Sequence, residues 1–524
     1  MSADTPTRAA AGKWTVAFSV LSGTFMAVMD VSVVNVALPH MMGTFAQDLN
    51  AITWVATVYA IGQIITSTMA GWLATLIGRK RLVLSAFAVF IVGSVLAGTA
   101  RTFPEMMVYR AIQGMGGGCL IPVCQAIMRE AFPAAEQGMA MAIYGMGVVL
   151  APAIGPIFGG WLTDNYGWPW IFYINLPICA FGMLMVSAFV QDPPYLKRGV
   201  SRIDGLGIVL LATGLTAMQM VLEHGQQLNW FQSDFIIGGT AVSVVTLTAL
   251  VFWELHVDEP IVNLRLLKDI PLAAGCAIGL VFGIGLFGTT FILPQFTQTV
   301  LGYPAYQSGL VLFPRAVILF LAMPVVGWLY KYFDARLLVA VGIGFICWTF
   351  VDLYGLSLDA DFWAMSRPLL LMGIGMPFLF VTMTAISLSS IAKKDMTEAS
   401  SIYTMTRAVG GNIGYALVAT LIANYTQIHR AMLAKNITSL NPAFRAMQDG
   451  ISGYVFRHGI DRVDASHAAM AIINAQLQRQ STMLAYNDVS LVLGGLFVAT
   501  IPLLIFMPGR HPLDPEAGRT ILSE

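Results

Sequence analysis

Beyond a short polar lead, the chain alternates long apolar runs with brief polar breaks. A helix needs about 20 apolar residues to cross the hydrocarbon core of a bilayer. Fourteen stretches meet that measure: 14–38, 52–76, 82–100, 105–128, 138–162, 168–190, 204–223, 235–255, 271–295, 307–330, 336–356, 366–388, 399–424 and 487–507. The pattern predicts an all-α polytopic membrane protein with 14 transmembrane helices. The first run is too long for the core of a signal peptide and is expected to stay as the first span. One sizeable segment, 425–486, lies outside the spans. Its KNITSLNPAFRAMQDGISGYVF stretch reads as turn-rich, and ASHAAMAIINAQLQRQSTMLAY at 465–486 as a helix with an apolar stripe.

Lysine and arginine accumulate in cytoplasmic loops. With the N-terminus taken as cytoplasmic, the inside segments hold Arg79, Lys80, Arg81, Arg129, Lys197, Arg198, Arg202, Arg265, Lys268, Lys331, Arg336, Lys393 and Lys394. The short outside loops hold only Arg101, with Arg367 at an edge. Both termini are therefore expected in the cytoplasm.

The chain also repeats itself. GWLATLIGRKRL at 71–82 returns as GWLYKYFDARLL at 327–338, an offset of 256. RAIQGMGGG at 110–118 has a fainter partner in RPLLLMGIG at 367–375, and IYGMGVVLAPAIG at 143–155 matches IYTMTRAVGGNIG at 402–414. Three matches in one order at nearly constant offset predict a duplication. It divides the chain into a six-helix bundle over 1–190, a linker with two inserted spans over 191–270, a second six-helix bundle over 271–510 that includes the loop 425–486, and a cytoplasmic tail over 511–524. Repeated halves around a midplane site are the architecture of alternating-access transporters.

Composition narrows the function. The chain is 57% hydrophobic and only 11% charged, with zero net charge, so nothing points to nucleic acid. Its five cysteines all fall in apolar stretches, unsuited to a disulfide framework or a zinc knuckle. There is no HExxH pair and no GxxxxGK[ST] loop, which removes ATP hydrolysis by this chain. The expectation is a non-enzyme without cofactor or metal, driven by a proton gradient. Thirty phenylalanines, 29 methionines and 11 tryptophans suit an adaptable apolar pocket for lipophilic small molecules, although most of them must pack the core or face lipid.

A few charges interrupt the apolar runs. Asp30 is the first, in a span where a charge costs about 2.5–3.5 kcal/mol on insertion scales. It lies nine residues before Pro39, roughly 13 Å from the expected outer end of the helix. Arg110 lies six residues after Pro104, roughly 9 Å deep from the same side. The depths predict a contact between spans 1 and 4, in which Asp30 alternates between a proton and Arg110 or a cationic substrate. Arg315 and Arg407 also sit well inside spans, where each needs a counter-charge, a carbonyl or a wet cavity; a partly cationic second half would favour lipophilic anions. Glu223 and His224 end span 7 and read as an interfacial, wet pair, with a coupling role as the alternative. Arg79, Lys80 and Arg81 read mainly as a topology signal neutralised by membrane lipids. Gly145, Pro152, Gly155, Pro156, Gly159 and Gly160 mark a fifth span built for close helix contact and a kink.

These stretches resemble a known family. GWLATLIGRKRL, with Gly71, Gly78 and the basic turn, is similar to the loop signature between spans 2 and 3 of the major facilitator superfamily. RAIQGMGGG resembles its fourth-span motif and GVVLAPAIGPIFGG its fifth-span antiporter motif. MDVSVVNVALP, WPWIFYINLP, fourteen spans and a long last outside loop are similar to the drug:proton antiporter-2 branch, most closely to the EmrB-type inner-membrane pumps of Gram-negative bacteria. The resemblance implies a multidrug exporter linked to antibiotic resistance, with the fifth-span stretch closing an outer gate. It also implies partners at the segment 425–486: a periplasmic adaptor protein leading to an outer-membrane channel. The sequence departs from the pattern at Thr75, where an aspartate is usual, and at Pro169, where an arginine is common. A metabolite transporter of the same fold and a non-transporting receptor or scaffold remain the rival readings.

Overall fold

The computed structural model describes residues 12–133, 136–192, 199, 203–459 and 461–509. Lys197, Arg198, Arg202 and the expected tail 511–524 lie outside these described residues. Six helices make the first half: α1 (Lys13–Phe45), α2 (Trp54–Ile77), α3 (Arg79–Thr99), α4 (Phe103–Ala131), α5 (Gln137–Tyr166) and α6 (Asn175–Phe189). The inserted pair is α7 (Gly205–His224) and α8 (Asp234–His256). The second half runs through α9 (Ile270–Gln295), α10 (Ala305–Leu329), α11 (Ala335–Tyr354), α12 (Phe362–Ser387), α13 (Met396–Ala434), α14 (Pro442–Arg457) and α15 (Arg462–Val498).

Short polar links end one helix and cap the next. Thr102 and Glu105 form a reciprocal capping box at the start of α4. Asp204, Asp269, Asp334 and Asp361 each accept a hydrogen bond from the first turn of α7, α9, α11 and α12. Between α2 and α3 the whole reversal is made at Gly78, whose φ of 91° suits glycine.

The duplication seen in the sequence recurs in the packing. In the first half α1 packs on α5 while α4 packs on α2 and α3; in the second, α9 packs on α13 while α12 packs on α10 and α11. The halves meet through α2 against α13 and through α5 against α10. Both junctions use the repeated glycine. A Cβ on Gly71 would lie 2.6 Å from Glu398 Cα, and one on its repeat mate Gly327 would lie 3.1 Å from Met139 Cα. Residues 139 and 398 are themselves repeat mates, so the two interfaces are copies of one contact.

Three expectations change. By length and composition, 13 of the described helices qualify as spans, and α13 does not. The predicted stretch 399–424 is helical, but Ser400, Ser401, Thr404, Arg407 and Asn412 make it too polar for that test. Second, α1 runs through Pro39 to Phe45, because an exposed proline late in a helix loses only one bond of the ladder. Third, α13 and α15 both extend beyond their apolar stretches, and residues 442–457 of the supposed turn-rich segment form the amphipathic helix α14. Periodicity and not hydropathy marks such extensions, so a span count places their ends wrongly.

Candidate functional site: a buried acid and arginine inside the first half

Five helices of the first half converge on Asp30. Its side chain and those of Arg110, Gln113, Ser94 and Asn175 are all fully buried. Arg110 Nη1 donates to Asp30 Oδ2 at 2.6 Å and lies the same distance from Gln113 Oε1. Gln113 Nε2 donates to Asp30 Oδ1 at 2.7 Å, and Asn175 Nδ2 to the same oxygen at 2.9 Å. Ser94 Oγ accepts from both amides, at 2.8 and 3.1 Å. Arg110 Nε reaches the Val55 carbonyl at 3.1 Å, and its guanidinium carbon sits 4.2 Å from the Tyr59 ring centroid. Tyr59 is held in turn by its hydroxyl, which donates to the Ala27 carbonyl at 3.0 Å.

This arrangement suits an ionised carboxylate. Asp30 accepts three hydrogen bonds and donates none, as a carboxylate must, while Arg110 spends its donors on Asp30, Gln113 and a backbone carbonyl. The pair is therefore compensated in oil and closed to water. Spacing predicted the meeting of Asp30 with Arg110 but not the two amides. Gln113 lies one helical turn after Arg110, which is the signal available for it; Asn175 carries no charge or periodicity that would single it out.

The other charges part company. Arg407 is buried on α13, its guanidinium carbon 5.0 Å from the Phe380 centroid, and its Nη1 has no hydrogen-bond partner. Gln125 Nε2, close by through the Thr404–Gln125 hydrogen bond of 3.0 Å, is also unpartnered. Arg315 is half-buried on α10, with no hydrogen bond or ion pair among the described residues. Glu223 and His224 are not wet: His224 is buried and stacks on Trp54 at 4.7 Å, and Glu223 accepts from Thr57 Oγ1 at 2.6 Å. Of the inserted pair, α7 folds back against α2 and α13, which buries His224 and leaves Glu223 only partly exposed.

The basic turn is likewise more than a topology signal. Arg79 is buried, pairs with Glu130 at 2.5 Å and donates across the junction to the Lys393 carbonyl at 3.0 Å. Arg129 crosses the same junction to the carbonyls of Thr384 and Ala385, at 3.3 and 2.8 Å, at the C-terminal end of α12. Lys80 binds the Ser187 carbonyl through Nζ, and Arg81 is exposed. Thr75, in place of the usual aspartate, merely bonds its own helix at the Gly71 carbonyl. With these bonds and Gln125–Thr404, the direct hydrogen bonds between the halves lie toward the end that carries the basic loops, among the described residues.

Along α5 the motif residues divide into two packings. A Cβ on Gly145 would meet Met323 Sδ at 2.6 Å and Phe380 at 2.7 Å, both in the other half. Gly155 and Gly159 instead let α5 touch α1 at Ser32 and Val33, immediately after Asp30. Gly160 has room for a Cβ, 3.8 Å from Val36, while Pro152 and Pro156 are exposed within a continuous helix.

A duplicated bundle of membrane-length helices with a compensated charge cluster in one half is the architecture of a transporter. The chain belongs to the Major Facilitator Superfamily, whose family model matches residues 20–415, and within it to the EmrB-type pumps. It is 32% identical over 506 residues to the multidrug export protein EmrB of Escherichia coli K12, covering 96% of each chain. It is 31% identical over 504 residues to the fatty acid resistance protein FarB of Neisseria gonorrhoeae, covering 95% of this chain and 96% of that one. Among solved structures it resembles the proton:xylose symporter XylE, with a TM-score of 0.57 at 12% identity, covering 97% of this chain and 98% of that one.

Proposed function

We propose that the protein is a proton-driven exporter of lipophilic drugs, working by alternating access between its two halves. The observation that carries this reading is the Asp30–Arg110–Gln113–Asn175 cluster, a protonatable carboxylate held ready inside one half. Protonating Asp30 removes its charge and breaks its match to Arg110, so the first half gains a second arrangement that the proton selects. The substrate does not react. The halves part at the basic-loop end, where Arg79, Arg129 and the paired glycine contacts now hold them together.

Export from the cytoplasm across the inner membrane, with both termini cytoplasmic, is the reading supported by the bias of lysine and arginine. On the far side, the extensions of α13 and α15 with α14 form a stalk suited to a periplasmic adaptor and, through it, an outer-membrane channel. Relatives named for multidrug export support small-molecule substrates.

A narrower reading of the substrate rests on Arg407. An arginine buried with an unsatisfied Nη1, one turn after the Thr404 that holds the unsatisfied Gln125, leaves donor capacity unspent. A lipophilic anion supplies the missing partner, and the kinship with a fatty acid resistance protein points the same way. Efflux of a dye panel separates the readings. Asp30→Asn should abolish proton-driven efflux of every dye, and Arg407→Gln should lose the anionic dyes while keeping neutral ones. A wild type that moves no drug down a proton gradient but carries a metabolite would favour the rival transporter of the same fold.

A further inference from the structure

The inserted helices α7 and α8 have no counterpart in the duplication, yet α7 and the turn that follows it join the two halves. Thr57 Oγ1 on α2 donates to Glu223 Oε1 at 2.6 Å; Gln219 Nε2, one turn back on α7, donates to Glu223 Oε2 at 3.3 Å. Gln219 Oε1 then accepts from Asn412 Nδ2 on α13. The result is an unbroken hydrogen-bonded chain, Thr57–Glu223–Gln219–Asn412, from the first half to the second. Two further contacts brace it. His224 stacks on Trp54 of α2, and Trp230 donates to Thr420 Oγ1 of α13 at 2.9 Å. Trp230 holds that position with φ of 52°, next to Asn229 at 56°, a strained pair of left-handed residues retained where the surroundings enforce it.

At the centre of this chain is a carboxyl group with no lysine or arginine partner among the described residues. The groups facing Glu223 are Thr57 from α2, Gln219 and His224 from its own helix, and Tyr415 from α13; α8 adds no charge. The contrast with Asp30 is direct, since Asp30 has Arg110. The two carboxyls also share a helix: Val55 of α2 holds Arg110 by its carbonyl, and two residues on Thr57 holds Glu223 by its hydroxyl.

We propose that Glu223 is a second proton-exchanging carboxyl, and that its hydrogen-bonded chain clasps the two halves through α7. A proton from water bonds to Oε1 and returns to water on release; no other covalent bond changes. Once protonated, Oε1 becomes a donor, and Thr57 Oγ1, which already reaches the Thr53 carbonyl at 3.2 Å, becomes its acceptor. The charge disappears and the link to α2 reverses. Because α2 also carries the backbone end of the Asp30 cluster, the clasp and that cluster respond to one helix. What the second proton drives rests on the export reading; the titration itself does not.

The test is pH-difference infrared spectroscopy of the full-length protein in nanodiscs, following the carboxylic-acid stretch in wild type, Glu223→Gln, Asp30→Asn and Thr57→Val. The expected result is one component of the band lost in Glu223→Gln, a different one lost in Asp30→Asn, and the Glu223 component moved along the pH axis in Thr57→Val. A Glu223→Gln spectrum identical to wild type overturns the proposal. A second arm counts protons per substrate in proteoliposomes: Glu223→Gln should lower the count below wild type, and an unchanged count with an unchanged pH profile contradicts a coupling role. If wild type exports no substrate, the export reading fails, while the infrared arm still decides whether Glu223 titrates.

Discussion

Arg110 and Arg367 occupy matching places in the two repeats, yet one is sealed and the other is not. Arg110 is fully buried against Asp30, whereas the Arg367 side chain is 73% exposed and pairs with Asp352 at the end of α11. One repeated position thus serves a buried charge cluster in the first half and a rim contact in the second. Removing Arg110 leaves an uncompensated acid in oil, a loss of roughly 3–5 kcal/mol. Arg110→Leu is expected to lower the midpoint of thermal unfolding in detergent strongly and Arg367→Ala to leave it unchanged, which differential scanning fluorimetry checks.

The amides should matter nearly as much as the charges. Gln113→Leu and Asn175→Leu each remove one of the two donors to Asp30 Oδ1 and leave Ser94 with one partner fewer. Each is expected to cost about 1–3 kcal/mol of stability. Ser94→Ala removes only a neutral acceptor and should cost less. Equal, negligible shifts for all three variants would show that Asp30 does not depend on this cage.

Much of the fold was legible because a bilayer demands long apolar stretches and repeats leave fixed offsets. Gly71 and Gly327 illustrate the second point, since their sequence match foretold matching contacts across the junction. The Asp30–Arg110 meeting was legible from depth alone, even though α1 proved longer than Pro39 suggested. What stayed hidden depends on tertiary contact. Asn175 is a neutral amide in an ordinary span, Arg79 looks like any loop arginine, and Glu223 looks wet until α7 is placed between α2 and α13.

The glycines of α5 give a graded series. A methyl at Gly160 makes an ordinary contact with Val36 at 3.8 Å, one at Gly155 meets the rotatable Ser32 hydroxyl at 2.4 Å, and one at Gly159 meets the Val33 backbone at 3.1 Å. Gly160→Ala should behave as wild type. Gly159→Ala should lose about 1–3 kcal/mol, the usual cost of overpacking. Gly155→Leu, too large for a hydroxyl rotation to accommodate, should block transport altogether. A leaky but active Gly155→Leu pump would argue against a gating role for this contact.

At the basic-loop end, Arg129 fastens α4 to the last carbonyls of α12. Arg129→Ala should loosen that closure. With the five native cysteines replaced, a cysteine at Thr404, now buried against Gln125, should be labelled roughly tenfold faster from the basic-loop side, the effect of about 1.4 kcal/mol. An unchanged labelling rate would mean that the Arg129 bonds do not hold the halves together.

The most direct measurement is substrate efflux driven by an imposed pH gradient in vesicles containing purified wild type or Asp30→Asn. The variant is expected to fold, to bind the substrate and to show no gradient-driven transport, because asparagine keeps the size of Asp30 and one of its two accepting oxygens but has no proton to exchange. Gradient-driven efflux at the wild-type rate by Asp30→Asn would contradict the role given to this carboxylate.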